Sequence, residues 1–187
     1  MSTKKLSGFT IVELLIVIVV IGILATVAVV AYSGMRQRAN NAAIISAANN
    51  SLRMINVYVA QNGTYPFAWT ADACITSTTG CDVGTASVTS SSAFDTAIAT
   101  VGTVPRSIPK GSPAYGIYMS YHLNATYNGV SAPARLSYFL FGTNQQCGIT
   151  GVQTYTWPTY QSSSTGYTAG DLNGQTVCWI NIPGPGA

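Results

Sequence analysis

Residues 14–32 are nineteen consecutive positions without a charged side chain, most of them Leu, Ile, Val or Ala. At 1.5 Å per helical residue such a run spans about 28 Å, close to the ~30 Å hydrocarbon thickness of a bilayer. In lipid the backbone must satisfy its own hydrogen bonds, so a helix is expected even through the branched residues 16–21. Beyond the run the pattern changes. Met35, Ala39, Ala42, Ile45, Ala48, Leu52, Ile55 and Val59 recur at spacings of three and four, which predicts one apolar stripe of an amphipathic helix. Arg36, Asn40, Asn50 and Arg53 fall away from that stripe. Asn62-Gly63 followed by Pro66 predicts the stop. The expectation is one helix over residues 9–61, apolar all round at first and striped afterwards.

Residues 67–113 show little periodicity and are rich in Ser, Thr, Gly and Ala, which predicts a connecting region with one short helix near residues 94–99. Three prolines within 104–113 make its end a rigid, irregular link. Period-two alternation follows. Tyr115, Ile117, Met119, Tyr121 and Leu123 alternate with Gly116, Tyr118, Ser120 and His122, and Leu136, Tyr138 and Leu140 alternate with Ser137, Phe139 and Phe141. These read as half-buried antiparallel strands, with Asn128-Gly129 as a turn between them. Residues 148–156 and 176–182 predict two more strands, and the Pro-Gly tail at 183–187 ends the last. The fold class expected is α+β: a long N-terminal helix whose second half packs on an antiparallel β-sheet of about four strands.

Composition narrows the setting. Only 7% of residues are charged, against roughly 25% in typical globular domains. Ser, Thr, Asn, Gln and Tyr carry the polarity, as on uncharged extracellular surfaces. The net charge of +3 drops to +1 without residues 1–8, which hold Lys4 and Lys5. No basic patch argues for nucleic-acid binding. Cys74, Cys81, Cys147 and Cys178 all follow the apolar run, so they read as two disulfides in an oxidising compartment, with three pairings open. Zinc is disfavoured because no Cys-x-x-Cys occurs and His122 is the sole histidine. No acid–base or nucleophile constellation is present, so the expectation is no enzyme, no catalytic residue, no metal and no cofactor. Asp171-Leu172-Asn173-Gly174 resembles a fragment of a calcium loop but lacks further carboxylates, and a turn is the better reading. Asn49-Asn50-Ser51, Asn62-Gly63-Thr64 and Asn124-Ala125-Thr126 fit the N-glycosylation pattern. Tyr155, Trp157, Tyr160 and Tyr167 suit either a contact surface or the packing of an irregular loop.

One carboxylate, Glu13, stands at the start of the apolar run. An ionised group near a bilayer centre costs ~2.5–3.5 kcal/mol on insertion scales, so it calls for a partner or a purpose. A signal peptide cut after Val29-Val30-Ala31 and a plain signal anchor are the simpler readings. The flanking charges, Lys4 and Lys5 against Arg36 and Arg38, nearly balance. Gly8 followed by Phe9-Thr10-Ile11-Val12-Glu13-Leu14-Leu15-Ile16 and the run to Ala31-Tyr32 resembles the N-terminal signature of type IV prepilins and of the related type II secretion pseudopilins. Asn62-Gly63-Thr64-Tyr65-Pro66 is similar to the helix end of many pilins.

The resemblance implies a leader at 1–8, a transmembrane and filament-core helix at 9–32, and a globular head at 33–187. The head divides into a helix at 33–61, a connecting region at 62–113, and the sheet with a C-terminal disulfide loop at 114–187. It implies cleavage between Gly8 and Phe9 by a prepilin peptidase, N-methylation of Phe9, and pairing of Glu13 with the N-terminal amine of a neighbouring subunit. The favoured cysteine pairing is Cys74–Cys81 with Cys147–Cys178, the second being similar to the C-terminal loop of many pilins. Implied partners are further copies of the chain, other pilins, an inner-membrane platform protein and assembly ATPases, with a surface or DNA ligand for the head. The implied location is the cytoplasmic membrane as a single-pass protein, then an extracellular pilus. A pseudopilin, and a minor pilin acting as adhesin or DNA-uptake module, are the alternatives. Val30 stands where many relatives have proline, which puts a kink there in doubt.

Overall fold

Thr10 opens the long helix α1 (Ile11–Asn62) in the computed structural model of the chain, which describes residues 8–67, 72–77, 79–83, 87–121, 126–127, 130–131, 134–156, 159–163, 170–172 and 174–182. The helix starts two residues later and ends one residue later than its sequence pattern predicts. It is unbroken at Gly22 and at Val30. Thr26 and Ser33, the hydroxyls of the apolar stretch, donate to the main-chain oxygens of Ile23 at 2.7 Å and Val30 at 2.9 Å. Each polar group is thereby satisfied within its own helix. The chain separates into two units, Met1–Arg38 and Ala39–Ala187.

Within the second unit the elements follow as β1 (Ala73–Cys74), β2 (Cys81–Val83), β3 (Ser87–Val88), α2 (Ser92–Ile98), β4 (Ala114–Tyr115), β5 (Ile117–Tyr121), β6 (Thr126–Tyr127), β7 (Val130–Ser131), β8 (Ala134–Phe141), β9 (Val152–Thr156), β10 (Thr159–Ser163), β11 (Gly170–Leu172) and β12 (Gln175–Asn181). Among the described residues the main sheet has seven strands in the order β1-β5-β8-β12-β9-β10, with β11 also on β12. Its pairings are antiparallel. The four strands expected from the sequence correspond to β5, β8, β12 and β9, the first two of them read from alternation, and they are consecutive at its centre. The α+β class with a long helix on an antiparallel sheet therefore holds. β6 and β7 pair around residues 128–129, and the Asn128-Gly129 turn itself lies outside the described residues.

Three expectations change. First, residues 67–113 hold β1, β2 and β3 as well as the short helix α2. Ser91 caps α2 by accepting from the Phe94 amide, and Phe94 and Ile98 share its buried face. Second, the strand expected over residues 115–123 breaks at Gly116. Its φ of 111° is open to glycine, and a Cβ there would strike Cys81. The break sends β4 to a small sheet ordered β3-β2-β4 and β5 to the main one. Third, the centre of the main sheet is buried on both faces rather than one. Leu136, Tyr138 and Leu140 join Ile117, Met119, Cys178 and Ile180 against α1 and α2. On the opposite face Tyr118, Phe139 and Val177 pack with Cys81, Val88 and Ala114 of the small sheet. Gln175 ties that sheet down: its Oε1 accepts from the Ala114 amide at 2.7 Å and its Nε2 donates to the Ala114 oxygen at 2.9 Å.

The buried face of α1 is also turned from the predicted stripe. Ala48, Ile55 and Val59 are buried as expected, but Met35, Ala39 and Ala42 are exposed, and Asn41, Ile44, Ala47 and Ser51 take their place. Two polar residues can occupy that face because each is satisfied. Asn41 donates to the Phe141 oxygen at 3.0 Å and accepts from the Phe141 amide at 2.8 Å, standing in for a strand partner at the end of β8. Ser51 donates to the Ala47 oxygen at 2.9 Å. Buried polar groups persist where they are hydrogen-bonded.

Tyrosine hydroxyls fasten the sheet to its surroundings. Tyr138 donates to the Cys147 oxygen at 2.7 Å, Tyr121 to the Phe67 oxygen at 2.8 Å and Tyr65 to the Ile182 oxygen at 3.1 Å. Burial pushes all three phenols up from their ordinary range, and the neighbouring Tyr65 adds to the shift at Tyr121. An unfolded tyrosine ionises near pH ~10. The preference of the fold for the neutral phenol has no effect below that pH. Above it, stability falls by up to ~1.4 kcal/mol per pH unit for each phenol still neutral in the fold. The urea midpoint of the detergent-solubilised chain, followed by tryptophan fluorescence, is expected to drop between pH 9 and pH 11. The drop should shrink in Tyr138→Phe, whose own stability at pH 9 is lower. An unchanged midpoint would show that these phenols ionise freely in the fold.

Candidate assembly site

The start of α1 is built by two side chains three residues apart. Glu13 Oε2 accepts from the Thr10 amide at 2.8 Å and from the Thr10 hydroxyl at 2.8 Å, while the Glu13 amide donates to Thr10 Oγ1 at 3.2 Å. This reciprocal capping box satisfies two of the amides that a helix start leaves open. The carboxylate also lies in the first turn, where the helix dipole favours negative charge. Both Thr10 bonds fall on one oxygen. Among the described residues Oε1 accepts none, so it is free to take a further donor.

Gly8 and Phe9 precede the cap and are exposed, Phe9 at 87%. A Cβ built on Gly8 meets nothing within 4 Å, and its φ is not in the left-handed region. Among the described residues nothing around Gly8 requires glycine there. Residues 1–7 lie outside the described residues.

Over residues 14–32 the helix is free of charged side chains on every side. Leu14, Leu15, Ile16, Val17 and Ile18 are successive positions, and each is at least half exposed. Exposed apolar surface of this extent marks a surface that something else covers. The helix is long and apolar enough to cross a membrane.

The cysteines pair as Cys74–Cys81 and Cys147–Cys178, with Cα separations of 5.4 and 5.8 Å, and all four are buried. Among the described residues no three His, Cys, Asp or Glu side chains gather as metal ligands. His122, Asn124, Trp157 and Tyr167 lie outside the described residues; Tyr155, Tyr160 and Asp171 are placed by their backbone in β9, β10 and β11. Sequence reasoning marked Glu13 but passed over Thr10. The signal was there, since Thr-x-x-Glu ahead of an apolar run is the capping-box pattern.

Residues 3–29 match the prokaryotic N-terminal methylation motif. Comparison with curated proteins and with solved structures found no match.

Proposed function

We propose, from the N-terminal signature of type IV pilins and pseudopilins that this chain carries, that it is a structural subunit of a type IV pilus. A prepilin peptidase removes residues 1–8, and the new amine at Phe9 is methylated. The subunit waits in the cytoplasmic membrane through its apolar helix, with the disulfide-bonded head outside the cytoplasm. An inner-membrane platform protein and assembly ATPases then extract it into a filament of like subunits and other pilins. The apolar helices lie in the filament core and the heads meet solvent, where a surface or a DNA strand is the ligand class for a contact role.

The observation that carries this reading is the junction itself. A glycine the fold does not need is followed by one apolar residue, a capping box holding a carboxylate, and a helix apolar on all sides. Cleavage after Gly8 creates a positive charge at Phe9, one position before that box and four before Glu13. Mass spectrometry of the N-terminus tests the reading. The mature chain is expected to begin at N-methylated Phe9, and Gly8→Val is expected to leave the full precursor in the membrane with no filaments. A mature chain that retains residues 1–8, or a Gly8→Val variant cut as well as wild type, would overturn it. Filaments seen outside the cell in the same strain separate the pilus from a periplasmic pseudopilus.

A further inference from the structure

The structure separates the three Asn-x-Ser/Thr tripeptides. In Asn49-Asn50-Ser51 the segment lies inside α1, and Ser51 is fully buried with its hydroxyl committed to the Ala47 oxygen. Asn124 lies outside the described residues. Asn62-Gly63-Thr64 is different. Asn62 is the last residue of α1, Gly63 turns the chain out of the helix with φ 65°, and all three residues are exposed. Among the described residues the Thr64 hydroxyl makes no hydrogen bond. Asn62 Nδ2 donates one hydrogen to the Tyr58 oxygen at 3.0 Å, which leaves the other hydrogen for substitution. An N-glycosylation acceptor needs this setting, a surface turn with an accessible amide and hydroxyl.

A second feature adjoins it. An open depression of about 540 Å³ borders Asn62, lined also by Tyr58, Ser92, Ala93, Thr96, Ala97 and Thr100. None of these side chains is charged. An aromatic ring beside small apolar residues suits the C–H face of a sugar ring, and hydroxyls at the rim suit its polar edge.

We propose that Asn62 is an N-glycosylation site whose first, uncharged sugars lie in the depression between the end of α1 and α2. The donor class is an oligosaccharide linked to a lipid pyrophosphate. The Asn62 amide nitrogen attacks the anomeric carbon. A C–N bond forms as the C–O bond to phosphate breaks, the lipid pyrophosphate leaves, and the displaced amide hydrogen departs as a proton. The remaining Nδ2 hydrogen keeps the bond to Tyr58. The inference rests on the head lying outside the cytoplasm, as the proposed function places it.

The test is mass spectrometry of the chain purified from its own cells. The peptide holding Asn62 is expected to carry a mass increment of sugar residues. Asn62→Gln and Thr64→Ala should each abolish the increment, and Thr64→Ser should retain it. Quantitative recovery of the unmodified wild-type peptide would overturn the proposal, as would an increment that persists in Thr64→Ala. The same spectra report Phe9 and the cysteines. Methylated Phe9 and intact disulfides with a bare Asn62 refute the glycan alone, whereas an uncut N-terminus refutes the pilin reading.

Discussion

Glu13→Ala is expected to leave the head folded and the chain in the membrane while sheared surface filaments fall below detection. The carboxylate has one role in its own chain and a second in the proposed filament. Within its own chain it closes the capping box with Thr10, a local contribution to the helix start. A helix of 52 residues does not depend on that, since apolar packing or lipid supplies most of its stability. In the proposed filament the same carboxylate would meet the amine that cleavage creates at Phe9. Unit charges 4 Å apart attract by ~4 kcal/mol at an effective dielectric of 20. In the proposed filament that pairing would be repeated at every subunit, so its loss is expected to act on polymerisation rather than on folding. Two further variants separate the roles. Glu13→Gln keeps an oxygen for Thr10 but has no charge, and is expected to fail as Glu13→Ala does. Thr10→Val loses the cap but keeps the charge, and is expected to reduce filaments without abolishing them. Immunoblots of sheared filaments against the membrane pool read all three. Normal filament numbers in Glu13→Gln would overturn the charge pairing, whatever Glu13→Ala does.

The parts of the molecule legible in its sequence are those where one local rule dominates. The apolar run, the Asn62-Gly63 stop and the alternation in β5 and β8 are of this kind, because periodicity and turn chemistry act over a few residues. Glu13 stands out because a charge at the start of an apolar run is conspicuous in one dimension, whereas the Gly8–Phe9 junction is marked only by the resemblance to prepilins. What stayed hidden depends on partners far away along the chain. Asn41 counts as polar in any periodicity, yet it faces the core because Phe141 presents both an amide and a carbonyl to it, one hundred residues later. That pairing turns the buried face of α1 away from Met35, Ala39 and Ala42. Strands β1 to β3 are two or three residues long, too short for any alternation to show. They are held instead by main-chain bonds such as Cys74 to Thr89 and Ile75 to Ile117. The break at Gly116 has the same origin, since Cys81 comes against it only once β2 has paired with β4.

Removing the Cys147–Cys178 bond by the double Cys→Ala change is expected to destabilise the head more than removing Cys74–Cys81. The two cysteines are 31 positions apart in the first pair and 7 in the second. In the chain-entropy account the longer loop contributes ~3.7 kcal/mol and the shorter ~2.5 kcal/mol. Against a typical stability of ~5–15 kcal/mol, the larger figure is at least a quarter of the whole. At 2–4 °C per kcal/mol for a domain of this size, melting should fall by about 7–15 °C. Packing points the same way. Cys147 and Cys178 lie in the core between the sheet and α1, and the Cys147 oxygen receives the Tyr138 hydroxyl. Releasing Cys147 therefore loosens the tyrosine buried at the middle of β8 as well as the closed loop. Cys74 and Cys81 belong to the second cluster, under the small sheet, where Gln175 still holds β4 after the bond is gone. Thermal melts of the oxidised wild type and the two double variants in detergent decide the order. A larger drop for the short loop would refute the loop-length account and make the contact of Cys81 with Gly116 the governing feature.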